Sequence, residues 1–481
     1  MIKIRKWTTA MLSASLALAL AFTPAAATPK AFAAAEASDT AAIQEVLDYL
    51  EAYYVEGTDR SELIRAAIDG MVYSLGDPYS AYFDSDEAAA FGHELELEFV
   101  GIGATLSFAD DELYIAEVLP GSPAQQAGLK RGDAILKING LPLDDLTGDE
   151  LDGAPGTSVT LHISRNGKIS TVKVTLREIT YPSVTGKLLG SKVGYISLNG
   201  FTEHSAAEFE TKLQALRKAG MQSMVLDLRD NGGGYMQAAY DIAAQFMSKG
   251  VMMYTSDATV TLSPVIFTGG RDIGMPVVIL ANDYTASASE ALTGALQDNG
   301  IATVVGTRTY GKARVQNLIE LSDGSLLKLT TERVLTPAKT DFNYVGLVPD
   351  FAVQDPTAQL IVGLQLAGLE QIVLSGDKRV LDVNGSPFNG NVGLLKQGNR
   401  IYASAKILAA LTETELKWDA AGRQAVFTTG AGQRLAFTVA SKDAVISGNV
   451  TYIDLNAFKK QVPSLQWNYN QSTGQLKLAF P

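Results

Sequence analysis

Residues 224–234 read Met-Val-Leu-Asp-Leu-Arg-Asp-Asn-Gly-Gly-Gly, an apolar run that leads into a polar turn and three glycines. The apolar run over 224–228 predicts a buried strand. Because glycine has no Cβ, backbone N–H groups in the following loop can approach a ligand closely. Such a loop binds phosphate in some proteins and only turns the chain in others, so it leaves the chemistry open.

A second predicted strand leads into a predicted helix between residues 277 and 296. The apolar run over 277–280 indicates the strand, and apolar residues at helical spacing follow the polar stretch that ends at Glu290. Ser287 stands where the helix begins, and the N–H groups and dipole of a helix N-terminus favour negative charge. That position suits the nucleophile of an acyl-transfer enzyme. Serine is also a frequent N-cap residue, so both interpretations of Ser287 stay open at this point.

Lys312 and Gln316 follow the next predicted strand, at 303–305. A serine hydroxyl needs a base, and the few scattered histidines of this chain do not favour a Ser-His-Asp triad. Lysine can replace histidine where burial keeps its amine neutral, because desolvation disfavours the ammonium form. Gln316 is uncharged and can orient a lysine without stabilising its charge. The alternative interpretation of Lys312 is an exposed surface lysine.

Together these motifs resemble the C-terminal processing peptidases, also called tail-specific serine peptidases, over about residues 40–355. In that family a serine within Ala-Ser-Ala-Ser-Glu precedes a lysine, and a glutamine follows the lysine. Ser287, Lys312 and Gln316 match the family spacings of 25 and 4 residues. The run over 227–234 resembles the family's oxyanion loop. One departure is Ala313, which stands where glycine is usual.

The resemblance implies a role for each matching residue. Ser287 would attack the scissile carbonyl, Lys312 would take its proton and return it to the leaving amine, and Gln316 would hold Lys312. Ser289 is the competing nucleophile, but only Ser287 has the 25-residue spacing to the lysine and precedes the helix interior.

The resemblance also implies an oxyanion hole. The backbone N–H groups of Gly233 and Ala288 would stabilise the oxyanion, an effect often worth about 3–4 kcal/mol per donor. Gly232 is the alternative to Gly233.

Residues 91–178 are predicted to be β-rich, and they resemble a PDZ domain. Phe-Val-Gly-Ile-Gly-Ala at 99–104 is similar to the glycine loop of that module, and 121–129 and 132–140 are similar to other parts of it. In such a loop the amides of Gly101, Ile102 and Gly103 would bind a C-terminal carboxylate while the peptide adds as a strand. The alternative is a plain β-barrel with glycines in its turns.

Composition excludes several classes of function. The 481 residues include 39 Lys+Arg and 52 Asp+Glu, so the net charge of −13 argues against a nucleic-acid binder. Cysteine is absent, which excludes disulfides, thiolate zinc sites and a cysteine nucleophile. His93, His162 and His204 lack metal-ligand spacing. We therefore expect neither a metal nor a cofactor.

The N-terminus has the layout of a secretory signal over residues 1–35. Basic residues lie between positions 3 and 6, an apolar run spans 10–22, and Ala-Phe-Ala at 31–33 fits a cleavage site. A retained membrane anchor is the alternative, but the run is shorter than the roughly 20 residues that a spanning helix needs. We expect an exported protein, extracellular or associated with the cell envelope.

The C-terminal part, residues 370–481, contains an internal repeat. Leu-Lys-Trp-Asp at 416–419 recurs as Leu-Gln-Trp-Asn at 465–468, which predicts two strand–helix–strand–strand units. With Val-Asn-Gly at 383–385, this part resembles the copper amine oxidase N-terminal-like stalk domain of secreted bacterial proteins. It has no evident copper ligands, so a structural or binding role is favoured over catalysis.

These observations predict an α/β multidomain protein with four parts after the signal segment. They are N-terminal helices (36–90), an inserted PDZ domain (91–178), a crotonase-like αβ peptidase core (179–357) and the C-terminal α+β repeat domain. The predicted function is an exported serine endopeptidase that uses a Ser-Lys dyad to cleave proteins near their C-termini.

Two other functions remain as alternatives, a non-catalytic PDZ scaffold and a crotonase-type acyl-CoA enzyme. The expected partners are protein substrates with exposed C-terminal tails and, through the N-terminal helices, a second copy of the chain. No nucleic-acid partner is expected.

Overall fold

A computed structural model describes residues 38–109 and 112–480. The predicted signal segment, residues 1–35, lies outside the described residues. Over the described ranges, no helix combines the length and apolar character that a membrane crossing requires.

The predicted N-terminal helical segment begins with two helices, Ser38–Tyr53 and Arg60–Tyr73. The side chain of Asp59 accepts hydrogen bonds from the first turn of the second helix, which explains where that helix begins. Many apolar residues of the pair are exposed, including Val46 (56%) and Tyr53 (78%). A short strand and a third helix then lead toward the core. The elements are α1 (Ser38–Tyr53), α2 (Arg60–Tyr73), β1 (Ala81–Phe83) and α3 (Ser85–Leu95).

The predicted PDZ region is a β-rich domain with its own apolar core. Strands β3 to β8 form one sheet in the order β3-β4-β5-β7-β8, with β6 paired to β5. Strands β2 and β9 pair with each other and connect this domain to the peptidase core. The elements are β2 (Glu98–Gly101), β3 (Ala104–Ala109), β4 (Glu112–Val118), α4 (Pro123–Gln126), β5 (Ala134–Ile138), β6 (Leu141–Pro142), β7 (Ser158–Arg165), β8 (Lys168–Thr175) and β9 (Arg177–Thr180).

The core contains the α/β sheet that the sequence predicts. Its order is β10-β11-β12-β15-β16-β19, and all neighbours are parallel except β10 and β11. The elements are β10 (Val184–Leu189), β11 (Val193–Leu198), α5 (Ser205–Lys218), β12 (Ser223–Asp227), α6 (Met236–Ala243), β13 (Lys249–Ser256), β14 (Leu262–Thr268), β15 (Val277–Ala281), α7 (Ala288–Asp298), β16 (Ala302–Gly306), β17 (Arg314–Glu320), β18 (Leu326–Leu335), β19 (Phe351–Ala352) and α8 (Pro356–Leu366).

Every residue of β12 and β15 is buried, because helices cover both faces of this sheet. Helices α5, α6 and α7 contribute to the apolar core on one face, and α8 packs on the other. The predicted core boundary at residue 357 falls in the first turn of α8. The carboxyl ends of β12 and β15 lie side by side, since Asp227 pairs with Leu280. The two loops singled out in the sequence are therefore neighbours in space.

A second sheet brings distant segments to the same site. Strand β18 pairs with β1, β13 and β17, all antiparallel. The pairing of β1 with β18 places the turn before β1 beside β18, whose other edge pairs with the strand β17 that carries Gln316.

The C-terminal domain contains the predicted strand–helix–strand–strand unit twice, as β24-α9-β25-β26 and β29-α10-β30-β31. Its elements are β20 (Ile372–Gly376), β21 (Leu381–Val383), β22 (Ser386–Phe388), β23 (Leu394–Gln397), β24 (Arg400–Ser404), α9 (Ala405–Leu411), β25 (Glu415–Asp419), β26 (Gln424–Thr428), β27 (Arg434–Thr438), β28 (Ala444–Ser447), β29 (Val450–Asp454), α10 (Leu455–Gln461), β30 (Gln466–Asn470) and β31 (Gln475–Phe480).

This domain also contacts the PDZ domain directly. Arg131 Nη1 lies 3.0 Å from Asp382 Oδ1, and Arg131 Nη2 donates to two main-chain oxygens of the C-terminal domain. Lys378 Nζ lies 2.6 Å from Glu112 Oε1. The PDZ domain is thus attached at two places, through the β2–β9 ribbon and through this polar contact.

Candidate active site

Ser287 lies between the end of β15 and the first residue of α7 and is only 3% exposed. Its φ of 57° and ψ of −118° are rarely adopted by residues other than glycine. An ordinary N-cap serine has an extended backbone, so this strained turn favours the nucleophile over the plain cap.

Glu290 connects the turn of Ser287 to the loop of Lys312. Its carboxylate accepts from the amide of Ser287 at 3.0 Å, the amide of Lys312 at 2.8 Å, the amide of Gly311 at 2.7 Å and the hydroxyl of Thr309 at 2.5 Å. Glu290 is fully buried, and burial raises its pKa, although these hydrogen bonds oppose that effect. One carboxylate therefore fixes the backbones of both proposed catalytic residues.

Lys312 is 2% exposed, so it is not the surface lysine of the alternative interpretation. Burial lowers the pKa of its amine from 10.5 to about 7. The positive charge of Lys328 also lowers this pKa, whereas Asp77 and Glu290 raise it. Lys312 Nζ lies 5.1 Å from the centroid of the Tyr79 ring. An amine with this pKa is largely neutral above pH 7 and can accept a proton.

Gln316 is fully buried on β17, where it pairs across the sheet with Thr330 of β18. Its Nε2 donates to Thr330 Oγ1 at 3.1 Å, and its Oε1 has no hydrogen-bond partner among the described residues. A buried amide oxygen without a partner is costly, which indicates an acceptor kept for a group at the site.

The glycine loop lies directly against the nucleophile. Gly233 has a φ of 110°, and a Cβ added there would lie 3.0 Å from the Cβ of Ser287. The amide of Gly233, however, donates to Asn231 Oδ1 at 2.9 Å. Within the described part of the chain, the amides of Gly232 and Ala288 donate no hydrogen bond. Of the two predicted oxyanion donors, the amide of Ala288 is free among the described residues, whereas the amide of Gly233 is bonded to Asn231.

The hydroxyl of Ser289, the competing nucleophile, donates to the main-chain oxygen of Asn231 at 3.0 Å. Ser289 is fully buried. The same main-chain oxygen of Asn231 also accepts a hydrogen bond from the amide of Ala286. The side-chain Nδ2 of Asn231 donates a hydrogen bond to the main-chain oxygen of Leu198 at 2.7 Å. These contacts give Ser289 and Asn231 a structural role in joining the two loops.

In the PDZ domain the predicted carboxylate loop lies between β2 and β3, and β3 is an edge strand of its sheet. Gly103 has a φ of 71°, and a Cβ added there would collide with Ser122. Over the described ranges, neither the amide of Ile102 nor that of Gly103 donates a hydrogen bond. Gly101, by contrast, pairs with Arg177 in the β2–β9 ribbon. The loop therefore offers two free N–H groups beside an open strand edge, which is the geometry for strand addition.

The site also contains residues to which the sequence assigns no role. Asn231 lies within the glycine-loop motif and Glu290 within the motif around Ser287, so the sequence could have indicated that both residues belong to the site. In the sequence, Asp77 and Tyr79 indicate only a turn, and Thr330 lies on a strand that is distant along the chain. No sequence pattern therefore indicates that these three residues belong to the site. Across the described residues, no cluster of side chains is suited to hold a metal ion.

The fold and this site define a serine peptidase with an attached PDZ domain. Three family models match the chain: Peptidase family S41 over residues 192–353, PDZ domain over 100–176, and Activating protease CtpB N-terminal domain over 20–87. The chain belongs to peptidase family S41. The predicted peptidase class and PDZ domain are thereby confirmed, and the acyl-CoA alternative is wrong.

Named relatives agree with this assignment. The chain is 33% identical to the carboxy-terminal processing protease CtpB of Bacillus subtilis over 327 residues, which is 65% of this chain and 68% of that protein. It is 35% identical to a probable CtpA-like serine protease of Staphylococcus aureus over 326 residues, 66% of this chain and 65% of that one. The chain thus spans about two thirds of the length of these curated relatives.

Among solved structures, the photosystem II D1 C-terminal processing protease is 26% identical, with a TM-score of 0.46. That match covers 68% of this chain and 91% of the protease. The three family models named above end at residue 353, so the resemblance of the C-terminal domain to the copper amine oxidase N-terminal-like domain stays a prediction.

Proposed function

We propose that the protein is an exported serine endopeptidase that uses Ser287 and Lys312 as a catalytic dyad and cleaves protein substrates near their C-termini. The observation that carries the dyad is the buried lysine. Lys312 is 2% exposed with a pKa of about 7, and its backbone is tied through Glu290 to that of Ser287.

In the proposed mechanism, Ser287 Oγ attacks the scissile carbonyl carbon as its proton moves to neutral Lys312 Nζ. The developing oxyanion is stabilised by the Ala288 amide and by an amide of the glycine loop, either Gly233 or Gly232. Collapse of the tetrahedral intermediate breaks the C–N bond, and Lys312 returns the proton to the leaving amine. Water then hydrolyses the acyl-enzyme by the same steps, with Lys312 again as the base.

The PDZ domain is proposed to read the free C-terminal tail of the substrate. Its support is the pair of unbonded amides in the carboxylate loop, at Ile102 and Gly103, beside the edge of β3. The name of the Bacillus relative specifies carboxy-terminal processing, which is consistent with a preference for chain ends.

Export and dimerisation are further parts of the proposal. The layout of residues 1–35 supports export, and N-terminal sequencing of the secreted protein would locate the cleavage. The exposed apolar residues of α1 and α2 support a homodimer through these helices. Light scattering of the mature chain, compared with a Val46→Asp, Tyr53→Asp double variant, would test it.

The decisive experiment uses a matched pair of peptides, one with a free C-terminal acid and one amidated, both ending in an apolar residue. The intact enzyme should cleave the acid faster, because amidation removes the charge that the loop binds. Ser287→Ala and Lys312→Ala should each abolish cleavage, and Gln316→Ala should weaken it less. Deleting residues 91–178 should erase the difference between the peptides.

Retained turnover in Lys312→Ala would refute the lysine base. Equal cleavage of both peptides by the intact enzyme would refute recognition of the free C-terminal carboxylate by the PDZ domain. Binding of the acid peptide without any turnover would favour the scaffold alternative.

A further inference from the structure

The C-terminal domain packs against a tyrosine of the peptidase core, Tyr195, whose hydroxyl bonds to the start of the glycine loop. We propose that Tyr195 is a positioning residue for this loop and that Phe388 of the C-terminal domain holds Tyr195 in place. The inference rests on the proposed peptidase function and gives the C-terminal domain a part in it. Both residues act through the loop and not on the substrate.

The contact between the two domains is a pair of buried aromatic rings. One apolar core extends from the peptidase sheet through α8 into the C-terminal domain, and it includes Tyr195 of β11 and Phe388 of β22. Tyr195 is 7% and Phe388 5% exposed. Their centroids lie 4.9 Å apart with the ring planes at 83°, the edge-to-face arrangement that aromatic pairs favour. The position of the Tyr195 ring therefore depends on the C-terminal domain.

Two basic side chains hold Phe388 in this position. Lys187 of β10 lies opposite Tyr195 in the sheet, and its Nζ is 3.7 Å from the centroid of the Phe388 ring. The same Nζ donates a hydrogen bond to the main-chain oxygen of Pro387. From the PDZ domain, Arg131 Nη2 donates to the main-chain oxygen of Phe388 at 2.5 Å. Phe388 is thus fixed on its ring and on its backbone.

The hydroxyl of Tyr195 carries this contact to the start of the glycine loop. It donates to Asp227 Oδ2 at 2.6 Å, and burial together with the Asp227 carboxylate raises the pKa of Tyr195, so the hydroxyl keeps its proton. Asp227 is the last residue of β12, and its Oδ1 accepts the amide of Arg229 at 3.0 Å. The Arg229 guanidinium pairs with the same carboxylate. Because a buried carboxylate needs its donors, Tyr195 helps to set where the loop begins.

The loop that starts at Asp227 leads directly to the nucleophile. The main-chain oxygen of Asn231 accepts the amide of Ala286, and the Asn231 side chain accepts the amide of Gly233. A Cβ added at Gly233 would lie 3.0 Å from the Cβ of Ser287. Oxyanion stabilisation depends on the placement of its donors, because each must meet the charge that develops on the carbonyl oxygen. A shift at Asp227 therefore displaces the donor of the glycine loop relative to Ser287.

Tyr195→Phe is the direct test, because it keeps the ring against Phe388 and removes only the hydroxyl. Displacing one oxyanion donor should lower kcat about tenfold with little change in KM. The matched control is Tyr402→Phe in the C-terminal domain. Tyr402 is also buried, and its hydroxyl donates to the main-chain oxygen of Lys442 at 3.2 Å. This control also loses one tyrosine hydrogen bond, but kcat should stay the same.

Phe388→Leu tests the part played by the C-terminal domain. It keeps an apolar side chain and removes the edge-to-face contact, so kcat should fall about threefold. Phe437→Leu is its control, since Phe437 is fully buried and meets Phe427 edge to face within the C-terminal domain; its kcat should not change. In a double-mutant cycle, Phe388→Leu should cost no further kcat once Tyr195→Phe has removed the hydroxyl. Additive losses would overturn the proposed route through Tyr195.

Hydrogen exchange of residues 228–234 gives a second readout that needs no turnover, and it is measured in proteins that carry Ser287→Ala. Tyr195→Phe and Phe388→Leu should each speed exchange of this segment, whereas Tyr402→Phe and Phe437→Leu should not. If Tyr195→Phe does not fold, Phe388→Leu against its control decides the question by the same two measurements.

Turnover of the single variants Ser287→Ala and Lys312→Ala separates the two claims. If either variant retains turnover, the proposed dyad fails, and hydrogen exchange still decides the positioning role. If both abolish turnover but Tyr195→Phe matches Tyr402→Phe in kcat or in exchange, the positioning role fails alone.

Discussion

Replacing Lys312 by methionine should stabilise the peptidase core by an amount that depends on pH. Lys312 is 2% exposed, and burial holds its pKa near 7 in place of 10.5. Between these two values the unfolded chain binds a proton that the folded chain does not. Stability of the wild type therefore falls as pH drops from about 10.5 to about 7 and is constant below that range with respect to this group.

The size of the effect follows from the two pKa values. Because one pKa unit corresponds to about 1.4 kcal/mol, the stability of the wild type relative to Lys312→Met should fall from its value well above pH 10.5 by about 1 kcal/mol at pH 10, about 3 kcal/mol at pH 8 and about 5 kcal/mol at pH 6. Methionine fills a similar volume, and the other titrating groups are common to both proteins. Their contributions largely cancel in the difference.

The assay should report on the core alone, because a multidomain chain does not unfold in one step. Hydrogen exchange of peptides from β12 and β15, measured across a urea series, gives the free energy of unfolding at each pH. Both proteins carry Ser287→Ala, so that self-cleavage does not contribute. An identical pH dependence in the two proteins would refute the buried, neutral lysine. A wild type that becomes less stable relative to Lys312→Met as pH rises from 7 to 10 would also refute it.

Three further predictions use the contacts around the site. Ser289→Ala should retain most activity in a peptide-cleavage assay, because its hydroxyl only bonds to the Asn231 main chain, and complete loss would make Ser289 the nucleophile. Glu290→Gln should lower kcat about 100-fold by displacing the Ser287 turn, and unchanged kcat would contradict its bridging role. Arg131→Ala should speed hydrogen exchange at residues 381–388, because it removes the contact between the PDZ domain and this segment. Lys192→Ala is the control, since it removes the ion pair between the core and Glu370 and should leave exchange at 381–388 unchanged.

The chemistry of this chain is readable from short stretches of sequence. Buried strands show as apolar runs, and the loops that follow them at 229–234 and 282–287 mark the edge of a parallel sheet where ligands usually lie. The 25-residue spacing between Ser287 and Lys312 predicts the proposed dyad, because it matches the spacing in the family that the sequence resembles. The PDZ domain and the C-terminal repeat are likewise evident from local patterns.

The direction and occupancy of the hydrogen bonds could not be predicted in this way. The sequence favours Gly233 as an oxyanion donor, yet its amide bonds to Asn231 in the folded chain. Glu290 lies within the Ser287 motif, but its contacts to the Lys312 loop exist only once α7 and that loop are packed together.

The sequence by itself determined the strands, the two loops, the serine and lysine, and the acidic, cysteine-free composition, because each depends on neighbours close along the chain. Only the tertiary structure decided that the amide of Thr330 donates a hydrogen bond to Ser80, which lies 250 residues earlier in the sequence. It also decided that Arg131 of the PDZ domain bonds to the C-terminal domain. It also decided that Lys312 is buried deeply enough to lose its charge near pH 7. The pKa of an amine depends on how far it is buried and on which charges lie near it. Residues from distant parts of the chain determine both, so a local sequence pattern cannot predict the pKa.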